Sequence, residues 1–198
     1  MLHRVKPWIA KALVAAPLLV PAGVDAQTEW PTPPDGWWED VSAGSSASYE
    51  VSMTGMNMGM TQTVTAVDGT MLTVETVMSM MGADMPGSST VVDAETLTPE
   101  ASLEMLSAAG GGTQSASQMA DNYAAMVEVE GEEDCSVGDV ILTCTIYVAE
   151  TPGGTLKTWH SPAIPPVFSG GAVKAEITAN GMSYSMVMTA FEGDLIDN

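Results

Sequence analysis

After residue 48 the chain alternates between polar and apolar residues, as the strands of a half-buried antiparallel sheet do. Residues 49–67, YEVSMTGMNMGMTQTVTAV, are rich in Thr, Val and Met and are predicted to form one long strand. Asp68-Gly69 is a hairpin turn signal, and residues 70–82, TMLTVETVMSMMG, are the predicted return strand. A two-residue turn there brings two groups of methionines to one end of the hairpin. The opposing residues are then Gly59 and Met78, Asn57 and Met80, and Met56 and Met81.

The next part of the chain predicts a third strand and then helices. Residues 88–97 have the composition of a strand that runs into a turn. Thr98-Pro99-Glu100 is a helix start, with Thr as the cap and Pro at the first helical position, and Gly110-Gly111-Gly112 ends that helix. A second helical stretch covers residues 114–127. The acidic run at residues 128–134, EVEGEED, is predicted to be a solvated loop. Calcium could be attracted to it, but the run lacks the residue order of a calcium-binding loop.

The last third of the chain predicts strands again. VILTCTIYVAE, residues 140–150, is a clear strand, and a Pro-rich crossing segment follows within TLKTWHSPAIPPVFSGG. AVKAEITA, residues 172–179, and MSYSMVMTAFE, residues 182–192, form a hairpin around Asn180-Gly181. Antiparallel strands with one helical insertion predict an all-β or α+β protein.

The N-terminus has the features of a secretory signal peptide, residues 1–26. Arg4, Lys6 and Lys11 accompany an apolar run, and Val24-Asp25-Ala26 supplies small residues for cleavage. The apolar run is too short to remain as a membrane-spanning helix. We therefore expect a periplasmic or secreted protein that is not an integral membrane protein. A Trp-, Pro- and Ser-rich segment, residues 27–48, leads into a single domain at residues 49–198.

Charge and cysteine content narrow the function. The full chain has a formal charge of −20, and removal of the signal peptide leaves two basic and 24 acidic residues, a charge of −22. Nucleic acid binding requires basic residues against phosphates and is not expected. Cys135 and Cys144 are the only cysteines, and in an exported chain they predict one disulfide across a turn at Val137-Gly138-Asp139. A separation of nine positions and no nearby histidine argue against a zinc site.

Catalytic chemistry is not expected. His160 is the one histidine of the mature chain, and it is followed directly by Ser161. Adjacent residues of an extended strand point to opposite faces, so the two make a poor dyad. The chain has no Gly-x-Ser-x-Gly elbow and no Gly-rich phosphate loop before a helix. We expect His160 to be structural, the protein not to be an enzyme, and no cofactor to be needed.

The two methionine groups, MTGMNMGM and VMSMMGADM, allow three interpretations. Thioether sulfur is a soft ligand that binds Cu(I), and Met-x-x-Met and Met-x-Met spacings suit that ion. Methionine also forms adaptable walls for apolar ligands, and it packs irregular cores. Other methionines are spread along the chain, which favours packing over a single site. All three interpretations remain open at this point.

The order of the elements resembles that of a known family. A signal peptide, long antiparallel strands, a helical insertion and further strands are similar to the half-barrels of the periplasmic lipoprotein carriers LolA and LolB and related lipid-binding lipoproteins. TWHSPAIPPVFSGGAVKAEI followed by NGMSYSMVMTAFEGD also resembles other exported proteins of that shape, where Trp-x-Ser-x-x-x-Pro precedes Gly-Gly-x-Val-Lys. The resemblance covers most of residues 45–193 and implies a curved sheet around an apolar cavity, with helices on its open side.

One difference from this family concerns the ligand. The lipoprotein carrier has an arginine inside its cavity, and the mature chain here has no arginine. The resemblance therefore implies a cavity for some apolar ligand, lined by Met and Val, rather than carriage of lipoproteins.

These observations together predict an α+β fold, mainly β: a curved antiparallel sheet or half-barrel with one or two helices packed on the open side. We expect the protein to bind a hydrophobic ligand, a lipid or lipid-like molecule, in the cavity of that sheet. One alternative is a Cu(I)-binding periplasmic protein, and another is an envelope scaffold with a filled core. The expected ligand-binding residues, for either a cavity or copper, are Met56, Met58, Met60, Met78, Met80 and Met81.

Overall fold

The computed structural model describes residues 33–53, 55–97, 127–151, 154–179 and 182–196. Within these ranges ten antiparallel strands form one curved sheet that does not close into a barrel, which confirms the mainly β fold class. The strands are β1 Ser46–Met53, β2 Met56–Asp68, β3 Met71–Met80, β4 Ala83–Asp84, β5 Ser88–Asp93, β6 Val127–Val137, β7 Val140–Thr151, β8 Gly154–His160, β9 Ala172–Ala179 and β10 Met182–Glu192. The predicted signal peptide and the predicted helices before residue 127 lie outside the described residues.

The strand order across the sheet is β4-β3-β2-β1-β10-β9-β8-β7-β6, and β5 also pairs with β3. The first and last strands of the domain, β1 and β10, are therefore neighbours in the middle of the sheet. Two short 3₁₀ helices, Trp37–Asp40 and Ser169–Gly171, are the helical elements of the described part of the chain. Trp37 in the first of them is buried in the core, so this part of the segment before β1 packs onto the domain.

The prediction of one long strand over residues 49–67 is wrong. The chain turns at Gly55, which has a φ of 86°, and the segment becomes the hairpin of β1 and β2. A positive φ of this size is accessible to glycine at little cost, and here it allows the chain to reverse. The hairpin places Met53 directly opposite Met56.

The register between β2 and β3 also differs from the predicted one. Asp68 pairs with Met71, so the turn residues are Gly69 and Thr70 rather than Asp68 and Gly69. Thr65 then has no direct partner, because Ala66 pairs with Thr73 and Val64 pairs with Val74. This β-bulge shifts the pairing by one residue, and a shift of one exchanges the two faces of a strand. The observed pairs are Met58 with Met80, Gly59 with Ser79, and Met60 with Met78.

The prediction of a solvated loop at residues 128–134 is wrong as well, because these residues are part of β6. All five acidic side chains of the run are exposed, and a bulge near Gly131 interrupts the pairing with β7. β6 is the last strand of the sheet. Charged side chains and a bulge on an edge strand discourage pairing with a second chain, so the acids protect the edge.

The predicted disulfide between Cys135 and Cys144 is confirmed. It connects β6 to β7 around a turn at Gly138 and Asp139, and both cysteines are buried in the core. The tip of this hairpin bends back toward the middle of the sheet. A Cβ placed on Gly138 would lie 3.7 Å from the carbonyl oxygen of Thr189 in β10.

The core is completed by the segment between β8 and β9. Residues 164–168, IPPVF, are all buried, and Ile164, Val167 and Phe168 share one hydrophobic cluster with side chains of β1, β2, β7 and β10. Phe168 packs edge-to-face on Phe191 at a centroid distance of 5.6 Å. The backbone amides are satisfied by local turns, with Phe168 N–H bonded to Pro165 O at 3.0 Å and Gly170 N–H bonded to Pro166 O at 2.9 Å. The predicted crossing segment is therefore a core element of the fold.

We expect Ile164→Ala to lower the free energy of unfolding by about 2–5 kcal/mol, because it opens a cavity in a packed core. Ile164 is 1% exposed, whereas Ile141 in β7 is 70% exposed. Ile141→Ala is the matched control, and its effect should stay within about 0.5 kcal/mol. Denaturant unfolding followed by tryptophan fluorescence measures both. Equal effects of the two variants would show that the crossing segment does not carry the core.

Candidate functional site

Half of the chain's 16 methionines lie on the core-facing side of the sheet, in what we call the methionine face. Paired residues share a side of the sheet, and residues two apart on a strand do so as well. Three rows of side chains therefore run across β3, β2, β1 and β10. The first row is Met78, Met60, Tyr49 and Met188, the second is Met80, Met58, Val51 and Met186, and the third is Met56, Met53 and Tyr184.

Burial decreases from the first row to the third. Met60, Met186 and Met188 are buried, and Met58 and Met78 are half-buried against the core. Met56 and Met80 are exposed at the outer end. The methionine face therefore begins inside the packed core and ends at the surface, where Met56 and Met80 are accessible.

No position of these three rows carries a charged side chain. The whole chain has 25 acidic residues, and the opposite side of the same strands carries Glu50 on β1 and Lys174 next to Val187 on β9. Absence of charge is expected of the buried positions, but Met56 and Met80 are exposed, and uncharged apolar surface in so acidic a chain is a marker of an interaction site.

The structure brings together five of the six methionines predicted as ligand-binding residues: Met56, Met58, Met60, Met78 and Met80. Met81 is separate from them. It lies in the turn after β3 with a φ of 55° and is 97% exposed, so it does not pair with Met56 as predicted.

Three methionines of the face, Met53, Met186 and Met188, were not predicted. Met53 joins because the chain turns at Gly55, a signal that could have been read from the Thr-Gly pair in MTGM. Met186 and Met188 join because β10 pairs with β1. That pairing connects opposite ends of the domain, and local sequence patterns carry no information about it.

Buried polar groups lie behind the first row. The Ser169 hydroxyl donates a hydrogen bond to Gln62 Oε1 at 3.1 Å, and both residues are buried. Burial raises the pKa of Tyr49 well above its usual range, and the Ser169 hydroxyl offsets this only partly. The Tyr49 hydroxyl makes no hydrogen bond of good geometry. Tyr184 in the third row also has a raised pKa because of burial, so it stays neutral at any physiological pH.

The His160 imidazole lies at the end of β8, separated from β10 by β9. It packs on Gly171 so closely that a Cβ there would lie 2.6 Å from His160 Nε2, and its ring stacks edge-to-face on Tyr147. Burial lowers its pKa to about 4, although a hydrogen bond with the Gly170 backbone raises it slightly. His160 is therefore a neutral, packed side chain at neutral pH.

A second group of side chains lies on the opposite side of the sheet from Met186. Lys157 and Lys174 place their ammonium groups 5.1 and 4.0 Å from the ring centroid of Trp159, and Trp159 is buried. Lys174 also pairs with Glu176 at 2.7 Å, and Lys157 pairs with Glu130. The Trp159 indole N–H donates to Glu133. The charged and aromatic side chains around Trp159 therefore contact one another, and we assign no ligand to them.

One cleft near the outer end of β1, β9 and β10 has a volume of about 190 Å³. It is lined by Ser52, Gly55, Glu176, Ile177, Thr178, Ser183, Tyr184 and Ser185. Hydroxyl groups and a carboxylate dominate this lining, so the cleft does not suit an acyl chain.

The chain was compared with known proteins. No protein-family model matches it, and no curated protein matches it. Among solved structures, that of PNGF-II in a C2 space group has a TM-score of 0.31 and 10% sequence identity, covering 79% of this chain and 28% of the PNGF-II chain. This chain thus spans less than a third of that neighbour, and a likeness at this score carries no argument about function.

None of the helices in the described part of the chain has the length and apolarity needed to cross a bilayer. Across the same residues, no three His, Cys, Asp or Glu side chains are grouped so that they could hold a metal ion.

The free energy of unfolding should depend on His160 at mildly acidic pH. In the folded chain its pKa is about 4, against 6.5 when it is free in solution. The unfolded chain therefore takes up the proton first, so the stabilising contribution is complete above pH 6.5 and is lost as the pH falls toward 4. Wild type should lose more stability than His160→Gln between pH 7 and pH 4.5, by at most about 1.4 kcal/mol per pH unit. Parallel pH profiles of the two proteins would contradict the burial of a neutral imidazole.

Proposed function

We propose that this chain binds a hydrophobic ligand, a lipid or lipid-like molecule, along the methionine face. The observation that carries the proposal is the absence of charge over three adjacent rows of a sheet in a chain of formal charge −20. The curved, open sheet with an apolar inner side is the fold that the resemblance to lipid-binding half-barrels implies.

The dimensions of the face suit an extended apolar chain. Met56 and Met60 are four residues apart on β2, which is about 13 Å along a strand. An acyl chain lying against the exposed methionines of the second and third rows would remove methylene groups from water, each worth about 0.8 kcal/mol. Binding strength would then grow with the length of chain that the face covers.

The chemistry of the side chains supports adaptable binding. Methionine is unbranched and polarisable, so neighbouring methionines can rearrange around ligands of different shape. Tyr184 in the third row supplies a neutral hydroxyl next to apolar residues, which suits a polar head group at the rim. The net charge disfavours anionic lipids, so a neutral or zwitterionic molecule is the expected ligand.

The proposed place of action is outside the cytoplasm, in the periplasm or beyond the cell. The Cys135–Cys144 disulfide is stable in such oxidising compartments. The signal peptide expected at residues 1–26 would direct the chain there. The role is binding, without catalysis, and no cofactor is required.

The test compares two substitutions on one strand. Met80 belongs to the methionine face and is 40% exposed, whereas Met71 at the other end of β3 is 41% exposed and lies outside it. Met80→Asp should weaken binding of the neutral fluorescent probe N-phenyl-1-naphthylamine at least about tenfold, because it desolvates a carboxylate against an apolar ligand. Met71→Asp should leave the dissociation constant unchanged.

The full chain, exported and purified without detergent, is used for both measurements. Organic extraction followed by mass spectrometry then identifies any lipid that co-purifies. No probe binding by wild type, or equal losses in the two variants, would reject the methionine face as a ligand site.

A further inference from the structure

The outer end of the methionine face gathers four thioethers in two adjacent rows. Met53 lies directly opposite Met56, and Met58 lies directly opposite Met80. Directly opposed residues of antiparallel strands have Cβ atoms about 4.5–5.5 Å apart, and residues two apart on a strand are about 7 Å apart. Each methionine sulfur lies at the end of a flexible side chain, so the sulfurs of Met56 and Met58 can reach one point together with that of Met53 or Met80.

We propose that Met53, Met56, Met58 and Met80 form a binding site for a soft monovalent metal ion, Cu(I) or Ag(I). This site shares residues of the methionine face with the hydrophobic-ligand function but differs in what it requires, because it needs sulfur at these positions and not merely an apolar surface. Thioether sulfur is a soft ligand that selects Cu(I) over harder ions.

The surroundings of the four residues restrict which metal they can hold. No position in the three rows of the face offers a carboxylate or an imidazole. His160 is on β8, packed against Gly171 and Tyr147, so it does not complete the set. Zn²⁺ and Cu²⁺ prefer nitrogen, thiolate or oxygen ligands, so a site made only of thioethers is selective for soft ions.

Access and charge favour loading of this site. Met56 and Met80 are exposed, whereas Met53 and Met58 are half-buried, so an ion arriving from solvent meets two thioethers before it meets the inner pair. The rest of the chain is strongly acidic and attracts cations to its surface. The inner methionines, Met60 and Met78, are the next opposed pair and continue the row of sulfurs toward the core.

The test is a metal titration of the full exported chain. Ag(I) is added first, because it needs no reductant, and Cu(I) is then added under anaerobic conditions with bathocuproine disulfonate as competitor. Native mass spectrometry counts the ions bound per chain. We expect one Ag(I) or Cu(I) per wild-type chain, and no retention of Zn²⁺.

Leucine substitutions separate this site from hydrophobic binding, because leucine keeps the volume and apolarity of methionine but removes the sulfur. Met53→Leu with Met56→Leu and Met58→Leu should weaken metal binding at least about 100-fold, and Met80→Leu at least about tenfold. Met71→Leu, at matched exposure on the same strand, should bind as wild type does. The near-ultraviolet circular dichroism spectrum and the denaturant midpoint of each variant should stay close to those of wild type, which shows that the variants are folded.

Two results would overturn the metal site: failure of wild type to retain either ion against the competitor, or equal affinity in wild type and the triple leucine variant. Metal retention by wild type without any binding of the neutral probe would support the metal site while rejecting the hydrophobic-ligand function. The two proposals therefore fail independently.

Discussion

Burial of residues 164–168 is the contact on which the rest of the fold depends. A curved sheet with open edges has an apolar side that must be covered, and Ile164, Val167 and Phe168 cover it from inside the same chain. A buried loop normally leaves backbone donors without partners. Pro165 and Pro166 lack an N–H group, and the neighbouring amides close local turns, so this loop enters the core at little polar cost.

The crossing segment also determines which part of the sheet is buried and which part is exposed. Phe191 at one end of β10 packs on Phe168, whereas Tyr184 at the other end is only half-buried. The methionine face extends along this gradient. Its composition depends on two backbone events, the turn at Gly55 and the bulge at Thr65. Without the bulge, β3 would present Ser79 instead of Met78 and Met80 to the inner side of the sheet.

The sequence predicted the strands of the fold better than the register in which they pair. Turn signals located the β2–β3 hairpin and the turn between β6 and β7, and strand-like residue patterns located β5, β7, β9 and β10. The disulfide followed from the spacing of the two cysteines and the expectation that the chain is exported. The turn at Gly55 was not predicted, because strand-forming residues continue on both sides of it. The alternation of residues with a period of two is hardly interrupted there. β6 was not predicted, because its exposed acidic residues have the composition of a loop. Charged side chains are also typical of an edge strand, where they discourage pairing with a second chain.

The candidate site was predicted in part, and for a partly mistaken reason. Clustering of methionines in the sequence located five residues of the face, but the assumed register placed Met78 opposite Gly59 and Met80 opposite Asn57. Local patterns could not supply the bulge that corrects this pairing. They also could not supply Met186 and Met188, since these come from a strand about 130 residues later in the chain whose position depends on the closure of the whole sheet.

The arrangement around Trp159 has a consequence for proteolysis. Trypsin cleaves after lysine and arginine, and beyond residue 11 the chain offers it only Lys157 and Lys174. Both lie inside paired strands, and both ammonium groups are engaged with Trp159 and a glutamate. A protease needs an extended, unpaired segment in its active site, so neither bond is available until the sheet opens. The folded domain therefore resists trypsin, because its two lysines lie in paired strands. Cleavage after Lys157 or Lys174 reports directly on the opening of β8 and β9.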